Sequence, residues 1–208
     1  MTRQDPASPP FWETRYRDGV TPWDAGRVPA ALGAFLVAER QPLRVLIPGC
    51  GSAYEARAFA EAGHDVLAID FSEAAVALAQ ERLGRHAGVV RLTDFFAFEL
   101  EAPFDVIYER AFLCALPPAV WDRYAARAAE VLGPGGRLAG FFFGMRDVAP
   151  AEPARRHGPP FALYAGELEH LLTPAFERLA DASVDDSIPV FAGRERWQVW
   201  QRRAPDPV

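Results

Sequence analysis

Short apolar runs alternate with longer segments of helical spacing through the centre of the chain. The runs that predict strands are residues 43–47, 66–69, 89–92, 104–108 and 137–143. Ser52 with Glu55 three residues later predicts the start of the helix after the first strand, and Ser72 with Glu73 predicts the start of the next. This strand–helix alternation predicts an α/β protein with a three-layer, Rossmann-like, mostly parallel sheet.

The two ends of the chain depart from this alternation. Residues 10–19 predict a short helix, and Pro29 predicts the start of a second. Residues 144–165 are rich in Pro and Gly and predict a long loop. Residues 176–184 and 196–202 predict two final strands. We expect these to complete the sheet as an antiparallel C-terminal edge.

The length, composition and charge of the chain limit the classes of protein to which it can belong. The chain has 208 residues, half of them hydrophobic, and a net charge of −6. That length predicts one domain over residues 1–208. The absence of a basic stripe argues against a nucleic-acid partner. No apolar run reaches the roughly 18–20 residues of a membrane span, and the first ten residues do not resemble a signal peptide, so we expect a cytoplasmic protein with no membrane partner.

The cysteines and histidines of the chain indicate neither a thiol nucleophile nor a metal site. Cys50 and Cys114 lie far apart in apolar segments, which indicates two free thiols in a reducing compartment. No His or Asp is spaced to activate either thiol as a nucleophile. The four histidines show no ligand spacing, so we expect no metal site.

Candidate chemistry lies where predicted parallel strands end, because ligands of open α/β sheets bind at the carboxyl ends of strands. The first strand runs into Gly49-Cys50-Gly51, whose glycines let a ligand approach the backbone. The second ends at Asp70, about twenty residues on, where a carboxylate meets ribose hydroxyls. The alternative role for Asp70 is to cap the helix that starts near Ser72.

The third position of the glycine pattern separates two kinds of cofactor. A dinucleotide site would have glycine at position 54, but this chain has Tyr54 followed by Glu55. A pyrophosphate would find little space and an unfavourable charge there. A cofactor with a sulfonium and no phosphate fits better, which indicates S-adenosyl-L-methionine. Asp94 and Phe95, after the third strand, are suited to the amino group and the ring of adenine; core packing is the alternative for Phe95.

Several longer motifs carry a family resemblance. They are W-x-x-x-Y-x-x-G-x-T-P-W-D-x-G at residues 12–26, VLIPGCG at 45–51, AFLCAL at 111–116, GPPF at 158–161 and DSIP at 186–189. With these motifs the chain resembles the thiopurine S-methyltransferase family of class I S-adenosylmethionine-dependent methyltransferases, especially its halide/thiol methyltransferase branch. The resemblance spans residues 11–203.

The resemblance implies a set of cofactor-binding residues. Residues 10–40 are expected to form an N-terminal helical lid that carries aromatic side chains over the cofactor. The implied cofactor-binding residues are Trp12, Tyr16, Trp23, Gly49, Cys50, Gly51, Asp70, Phe71, Asp94, Phe95 and Arg110.

Several aromatic residues are candidates for an acceptor site. The expected pocket is lined by Phe112, Phe161 and Trp197, with Phe142 and Phe143 as further candidates and the 144–165 loop closing over it; core packing is the alternative for each ring. Arg110 is the candidate for acceptor-side electrostatics, because a cation lowers the pKa of a thiol; pairing with Glu109 or Glu13 is its structural alternative. Thiopurine enzymes have Asp-Arg here, whereas this chain has Glu109-Arg110, which leaves the acceptor open.

The expected activity is methyl transfer to a small soft nucleophile: a thiol or thiopurine, a halide, or a selenium or tellurium species. The expected partner is a small-molecule methyl acceptor, and the expected state is a monomer or weak homodimer. Four alternatives remain at this point: a methyltransferase for another small molecule, one for a macromolecule, a nicotinamide-dependent oxidoreductase, and a catalytically silent cofactor-binding protein.

Overall fold

The computed structural model describes residues 5–144 and 157–204. It divides into two compact units after Glu101. The predicted 144–165 loop falls mostly on residues 145–156, which lie outside the described residues.

The first unit begins with two short helices and continues with alternating strands and helices. Its elements are α1 Pro9–Arg17, α2 Ala30–Ala38, β1 Arg44–Pro48, α3 Tyr54–Glu61, β2 Asp65–Asp70, α4 Glu73–Leu83 and β3 Val90–Leu92. Its strands lie in the order β3-β2-β1 and are parallel. The register pairs Pro48 with Ile69 and Asp70 with Leu92, so the carboxyl ends of the three strands are level.

The second unit contains the remaining strands. Its elements are β4 Phe104–Arg110, α5 Trp121–Val131, β5 Leu132–Phe143, α6 Glu167–Leu172, β6 Phe176–Ser183 and β7 Glu195–Arg202. Its strands lie in the order β4-β5-β7-β6. β4 and β5 are parallel, whereas β7 is antiparallel to both β5 and β6. The predicted antiparallel C-terminal pair is therefore confirmed, and β6 is the strand that lies at the edge.

Helix α5 shows how the sequence pattern becomes packing. Trp121, Tyr124, Ala125, Ala128 and Val131 are its buried residues. They recur at intervals of three and four, which puts them along one stripe of the helix. α5 accordingly packs on β5.

One of the two predicted helix caps is correct and the other is wrong. The hydroxyl oxygen of Ser72 accepts from the amide of Ala75 at 3.2 Å and caps α4 as expected. α3 instead begins after Ala53, whose φ of 57° is left-handed and whose side chain makes no cap. Ser52 is not the N-cap of α3, because that position is taken by Ala53, one residue later than predicted. The Ser52 hydroxyl donates to the carboxylate of Asp24.

Candidate active site

The glycine loop after β1 is bonded directly to β2. The amide of Cys50 donates to the carbonyl of Ile69 at 3.0 Å, and the amide of Gly51 donates to Oδ2 of Asp70 at 3.2 Å. Gly49 and Gly51 have φ values of 58° and 50°, a conformation that glycine adopts without steric cost. The loop and the acid at the end of β2 therefore hold each other in place.

Asp70 is a buried carboxylate with hydrogen-bonding capacity to spare. It is 7% exposed, and its Oδ1 accepts from the amide of Ser72 at 3.0 Å. Burial raises the pKa of Asp70 to about 6, against the opposing effect of hydrogen bonds from the amides of Ser72, Gly51 and Phe71. Each carboxylate oxygen has a further lone pair for a donor. The side-chain cap of α4 is Ser72, and Asp70 bonds to the amide of Ser72 at the same helix start; its ribose role stays a prediction.

Trp12, Tyr16 and Trp23 form one cluster, here called the aromatic cover. The ring of Trp23 stands edge-on to Trp12 at 5.4 Å and to Tyr16 at 6.0 Å between centroids. The indole N–H of Trp23 donates to the hydroxyl oxygen of Tyr16 at 3.4 Å. That hydroxyl lies only 2.7 Å from where a Cβ on Gly51 would be. The aromatic cover therefore contacts the glycine loop through Tyr16. Burial, together with the charge of Asp70, raises the pKa of the Tyr16 hydroxyl.

Glu13 holds α1 against the start of α4. Its Oε2 accepts from the hydroxyl of Ser72 at 2.6 Å and from the amide of Ala74 at 3.0 Å. The hydrogen bonds from Ala74 and then Ser72 lower the pKa of Glu13. A carboxylate is favoured at a helix N-terminus, where the helix presents partial positive charge. Glu13 also pairs with the exposed Arg17 at 2.7 Å.

Asp24 provides a second attachment for the same N-terminal segment. Its Oδ2 accepts from the hydroxyl of Ser52 and from Nη1 of Arg82 at 3.1 Å. Nη1 of Arg82 also donates to the hydroxyl of Tyr54 at 2.6 Å. Sequence reasoning did not assign a role to Asp24 or Arg82, and it considered Glu13 only as a partner for Arg110. Asp24 stood inside the tryptophan motif, whereas nothing in the sequence around Arg82 indicates its contact.

The predicted adenine-binding residues follow β3. The amide of Thr93 donates to the carbonyl of Asp70 at 3.0 Å, which joins this turn to the end of β2. Asp94 is exposed, and its Oδ1 accepts from the amide of Phe96 at 2.8 Å. Phe95 is 3% exposed, and the centroid of its ring lies 5.3 Å from that of Phe96. The adenine roles of Asp94 and Phe95 stay predictions, as does that of the half-buried Phe71.

The residues brought together in the first unit fit S-adenosyl-L-methionine. Asp70 offers free lone pairs to vicinal hydroxyls, and a side chain at Gly51 would collide with the Tyr16 hydroxyl. The aromatic cover offers π faces to a cation. Residues 48–54 contain no Lys or Arg for a pyrophosphate. The group that this donor set suits has ribose hydroxyls and a positive charge, and it lacks phosphate.

In the second unit, Arg110 lies among aromatic side chains. It is the last residue of β4, and its guanidinium carbon is 4.7 Å from the centroid of the Phe141 ring. Trp197 stands edge-on to Phe141 at 5.1 Å. Arg110 and Trp197, which were both predicted to lie at the acceptor site, thus contact the same aromatic ring.

The other predicted acceptor residues surround the turn after β4. Oε1 of the buried Glu109 accepts from the amides of Phe112 and Leu113 at 2.8 and 3.0 Å. The ring of Phe112 lies 6.1 Å from that of Tyr124 in α5. The amide of Phe161 donates to the carbonyl of Cys114 at 2.7 Å, and Phe161 is 7% exposed. Phe142 and Phe143 are both buried. The acceptor roles of these aromatic residues stay predictions.

The two cysteines are buried and free. Burial raises the pKa of both thiols, so neither is a ready nucleophile. Within residues 5–144 and 157–204, no group of three or more His, Cys, Asp and Glu side chains is arranged to hold a metal ion. No helix of that part of the chain is long and apolar enough to cross a membrane.

A comparison with family models decides the family. The model of thiopurine S-methyltransferase matches residues 7–203. The chain belongs to the thiopurine S-methyltransferase family. As a member of this family it is a methyltransferase that uses S-adenosyl-L-methionine, which decides against the nicotinamide-dependent alternative.

Individual relatives support the same branch of the thiopurine S-methyltransferase family. The chain is 28% identical over 197 residues to "Probable thiol methyltransferase 2" of Arabidopsis thaliana, covering 92% of this chain and 84% of the relative. It is 29% identical over 197 residues to "Thiocyanate methyltransferase 1" of Brassica oleracea, with the same coverage. The resemblance to the branch that includes thiol methyltransferases is confirmed.

Solved structures confirm the fold. A 1,6-didemethyltoxoflavin-N1-methyltransferase of Burkholderia thailandensis, solved with 1,6-didemethyltoxoflavin and S-adenosylhomocysteine, superposes with a TM-score of 0.72. The match covers 98% of this chain and 93% of that one at 24% identity. The predicted class I methyltransferase fold, Rossmann-like and mostly parallel with antiparallel C-terminal strands, is therefore correct.

Proposed function

We propose that this methyltransferase transfers the methyl group of S-adenosyl-L-methionine to the sulfur of a small thiol. The observation that carries the proposal is the contact of Tyr16 with Gly51, whose amide donates to the buried carboxylate of Asp70. The relatives named for thiol and thiocyanate methylation support a small, soft acceptor. Thiopurines, halides, and selenium or tellurium species are the acceptors to be compared with thiols.

The cofactor supplies an activated methyl group on a sulfonium sulfur. In the proposed site Asp70 accepts hydrogen bonds from the ribose hydroxyls, and the backbone of Gly49, Cys50 and Gly51 binds the amino-acid end. Asp94 and Phe95 bind adenine, with Phe71 beside them. The aromatic cover excludes water from the methyl and attracts the sulfonium by cation–π interaction.

On the acceptor side, the proposed pocket is made by Phe112, Phe161 and Trp197. Arg110 favours a thiolate over a thiol by its positive charge. A soft thiolate needs little further activation, so the protein acts mainly by alignment and exclusion of water. We further propose a cytoplasmic monomer or weak homodimer with no nucleic-acid or membrane partner, in which residues 10–40 act as the lid of a single domain.

Two measurements test this proposal. Titration calorimetry with S-adenosylhomocysteine and with NAD tests the cofactor site. Binding of NAD without binding of S-adenosylhomocysteine would contradict the proposed cofactor. A panel of alkyl thiols, thiophenols, thiopurines, sulfide, thiocyanate, iodide and selenite, with methylated products identified by mass spectrometry, tests the acceptor. Binding of S-adenosylhomocysteine without turnover of any thiol would overturn the proposed acceptor class and leave the cofactor assignment standing.

A further inference from the structure

Glu195 lies at the sheet end where ligands bind in this fold. It is the first residue of β7 and is paired with Phe143, the last residue of β5. β4 runs parallel to β5 and ends at Arg110. The carboxyl ends of parallel strands form the ligand-binding edge of such sheets. Glu195 and Arg110 are therefore both at that edge of the second unit.

Glu195 also shares a sheet face with the predicted acceptor residues. Alternate residues of a strand point to the same face, so Glu195 lies on the face of Trp197, and Phe143 on that of Phe141. Phe141 is the ring that contacts both Arg110 and Trp197. The carboxylate thus stands beside an aromatic surface with a cation at its other end.

The carboxylate of Glu195 has an unused acceptor atom. Glu195 is 6% exposed, and its Oε2 is buried with no hydrogen-bond partner among residues 5–144 and 157–204. Oγ of Ser187, in the DSIP motif, is also buried and lies close enough to the Glu195 carboxylate to lower its pKa by hydrogen bonding, which leaves further lone pairs of the carboxylate unused. Buried polar atoms in native proteins are almost always hydrogen-bonded. An orphaned carboxylate oxygen at a ligand-binding edge is suited to a donor on the ligand.

The charges around Glu195 oppose one another. Burial raises its pKa, the nearby Ser187 hydroxyl and the charge of Arg110 lower it, and Asp186 raises it. Glu195 also interacts with the carboxylate of Glu109 on β4 and with the thiol of Cys114, which follows β4. The guanidinium of Arg194, the residue before β7, lies over Phe143 at 4.7 Å, and that of Arg196 on β7 pairs with Asp181 at 2.5 Å. A carboxylate with a raised pKa takes a proton more readily near neutral pH.

We propose that Glu195 is the general base that removes the proton from a neutral thiol acceptor. This role rests on the proposed thiol methylation. The thiol S–H bond breaks, and its proton goes to Oε2 of Glu195. The sulfur electron pair forms the new S–CH₃ bond, while the bond from the methyl to the sulfonium sulfur breaks and leaves its electron pair on that sulfur. The products are the methyl thioether, S-adenosylhomocysteine and a protonated Glu195, which returns its proton to solvent.

This role also gives the site a preference among acceptors. Iodide and thiocyanate carry no proton to remove, and a carboxylate beside the acceptor repels an anion. A neutral thiol instead donates a hydrogen bond to that carboxylate. Glu195 therefore favours protonated thiols over permanent anions.

The test compares acceptors that differ in whether they carry a proton at pH 7. The variant is Glu195→Gln in the full chain, and the control is Glu177→Gln, an exposed glutamate on β6. 2-Mercaptoethanol is protonated at this pH, whereas pentafluorothiophenol is ionised. For Glu195→Gln we expect kcat/KM to fall about 100-fold or more with 2-mercaptoethanol, as for loss of a general base. With pentafluorothiophenol and with iodide it should stay near or above wild type, and S-adenosylhomocysteine affinity should be unchanged.

Equal losses with both thiols, at unchanged S-adenosylhomocysteine affinity, would overturn the role of Glu195 and leave thiol methylation standing. A wild-type enzyme that methylates no thiol would overturn both proposals. The wild-type pH profile serves if Glu195→Gln does not fold. With 2-mercaptoethanol, kcat/KM should stay level well below the pKa of the free thiol and fall only as Glu195 takes up a proton; a profile that follows ionisation of the free thiol would overturn the role.

Discussion

The hydroxyl of Tyr16 occupies the space next to Gly51 that any other residue would need for its Cβ, with 2.7 Å between them. Tyr16 comes from the first helix and Gly51 from the loop after the first strand, thirty-five residues later. This contact joins the aromatic cover to the glycine loop, and it makes the two positions interdependent.

Gly51→Ala tests that interdependence. The φ of 50° adds roughly 1–2 kcal/mol of backbone strain for alanine, and the methyl group collides with the Tyr16 hydroxyl. We expect S-adenosylhomocysteine affinity to fall about tenfold or more, since each factor of ten is about 1.4 kcal/mol. In a Tyr16→Phe background the loss should be smaller, because the colliding oxygen is gone and the ring carbon is 3.7 Å away. Titration calorimetry on the four proteins measures the coupling.

The matched control for this cycle is Gly63→Ala. Gly63 has a φ of 87°, and a Cβ at this position would meet no atom within 4 Å, so alanine there brings strain without collision. It should lower the melting temperature and leave cofactor affinity unchanged. Strictly additive effects of Gly51→Ala and Tyr16→Phe would contradict the contact.

Asp70 should make cofactor affinity depend on pH. Burial raises its pKa to about 6, and in the proposed site the ionised carboxylate is the form that accepts hydrogen bonds from two ribose hydroxyls. S-adenosylhomocysteine affinity should therefore be highest above pH 6 and fall as the pH is lowered through that value. Calorimetric titrations from pH 5 to 8 would show it.

Asp70→Asn separates this effect from general acid sensitivity. Its affinity at pH 7.5 should be at least about tenfold weaker, because each removed hydrogen bond costs roughly 1–3 kcal/mol. Its profile should be flat between pH 5 and 8. A variant that keeps both the affinity and the slope of the wild type would remove Asp70 from the site.

Glu13 should control how firmly the N-terminal segment is held. In Glu13→Gln the charge that α4 favours at its start is lost, and the bonds to Ser72 and Ala74 weaken. We expect faster amide hydrogen exchange in Pro9–Arg17 and a several-fold loss of S-adenosylhomocysteine affinity. Because the folded-state pKa of Glu13 is lowered, its stabilising contribution is present at neutral pH and lost only as the pH falls through that lowered value.

Arg17→Gln is the control for Glu13. It removes the ion pair of Glu13 at an exposed position, and exposed pairs contribute about 0–1 kcal/mol. Exchange in α1 should stay close to wild type. If both variants loosen α1 equally, the attachment to α4 is not what holds the segment.

Trp23 should distinguish the charged cofactor from its neutral product. A cation–π contribution of about 0.5–2 kcal/mol corresponds to a factor of roughly 2 to 30 in affinity. Trp23→Leu should therefore weaken binding of S-adenosylmethionine more than that of S-adenosylhomocysteine by a factor in this range. Equal weakening of both ligands, measured by calorimetry, would mean that Trp23 only fills space.

Local sequence patterns predicted the fold well where burial alone decides the structure. The first four strands, from residues 43–47 to 104–108, were predicted within two residues at each end, because a buried strand reads as a continuous apolar run, whereas β5 begins at Leu132, five residues before the predicted start. The position of Asp70 at the end of β2 was predicted for a related reason: it directly follows such a run. The order of strands at the C-terminal edge was less accessible, since either final strand could have been outermost.

Ser52 and Ser72 mark the limit of this reasoning. Both precede a helix and carry an acidic residue nearby, yet only Ser72 is a cap. α3 begins only after the left-handed Ala53, and the Ser52 hydroxyl binds Asp24, twenty-eight residues earlier. A local pattern reports which bonds a side chain is able to make and does not report the backbone conformation that the fold imposes.

The sequence by itself determined the α/β alternation, the glycine loop, the acid that follows it and the family, because these are written in contiguous residues. The tertiary structure decided that Tyr16 rests on Gly51, that Glu13 and Asp24 hold the N-terminal segment, and that Glu195 is buried with an unused oxygen beside an aromatic surface. Each of these depends on which distant side chains meet and on which polar atoms lose water without gaining a partner. Burial and hydrogen bonding are properties of the folded chain, and no run of neighbouring residues encodes them alone.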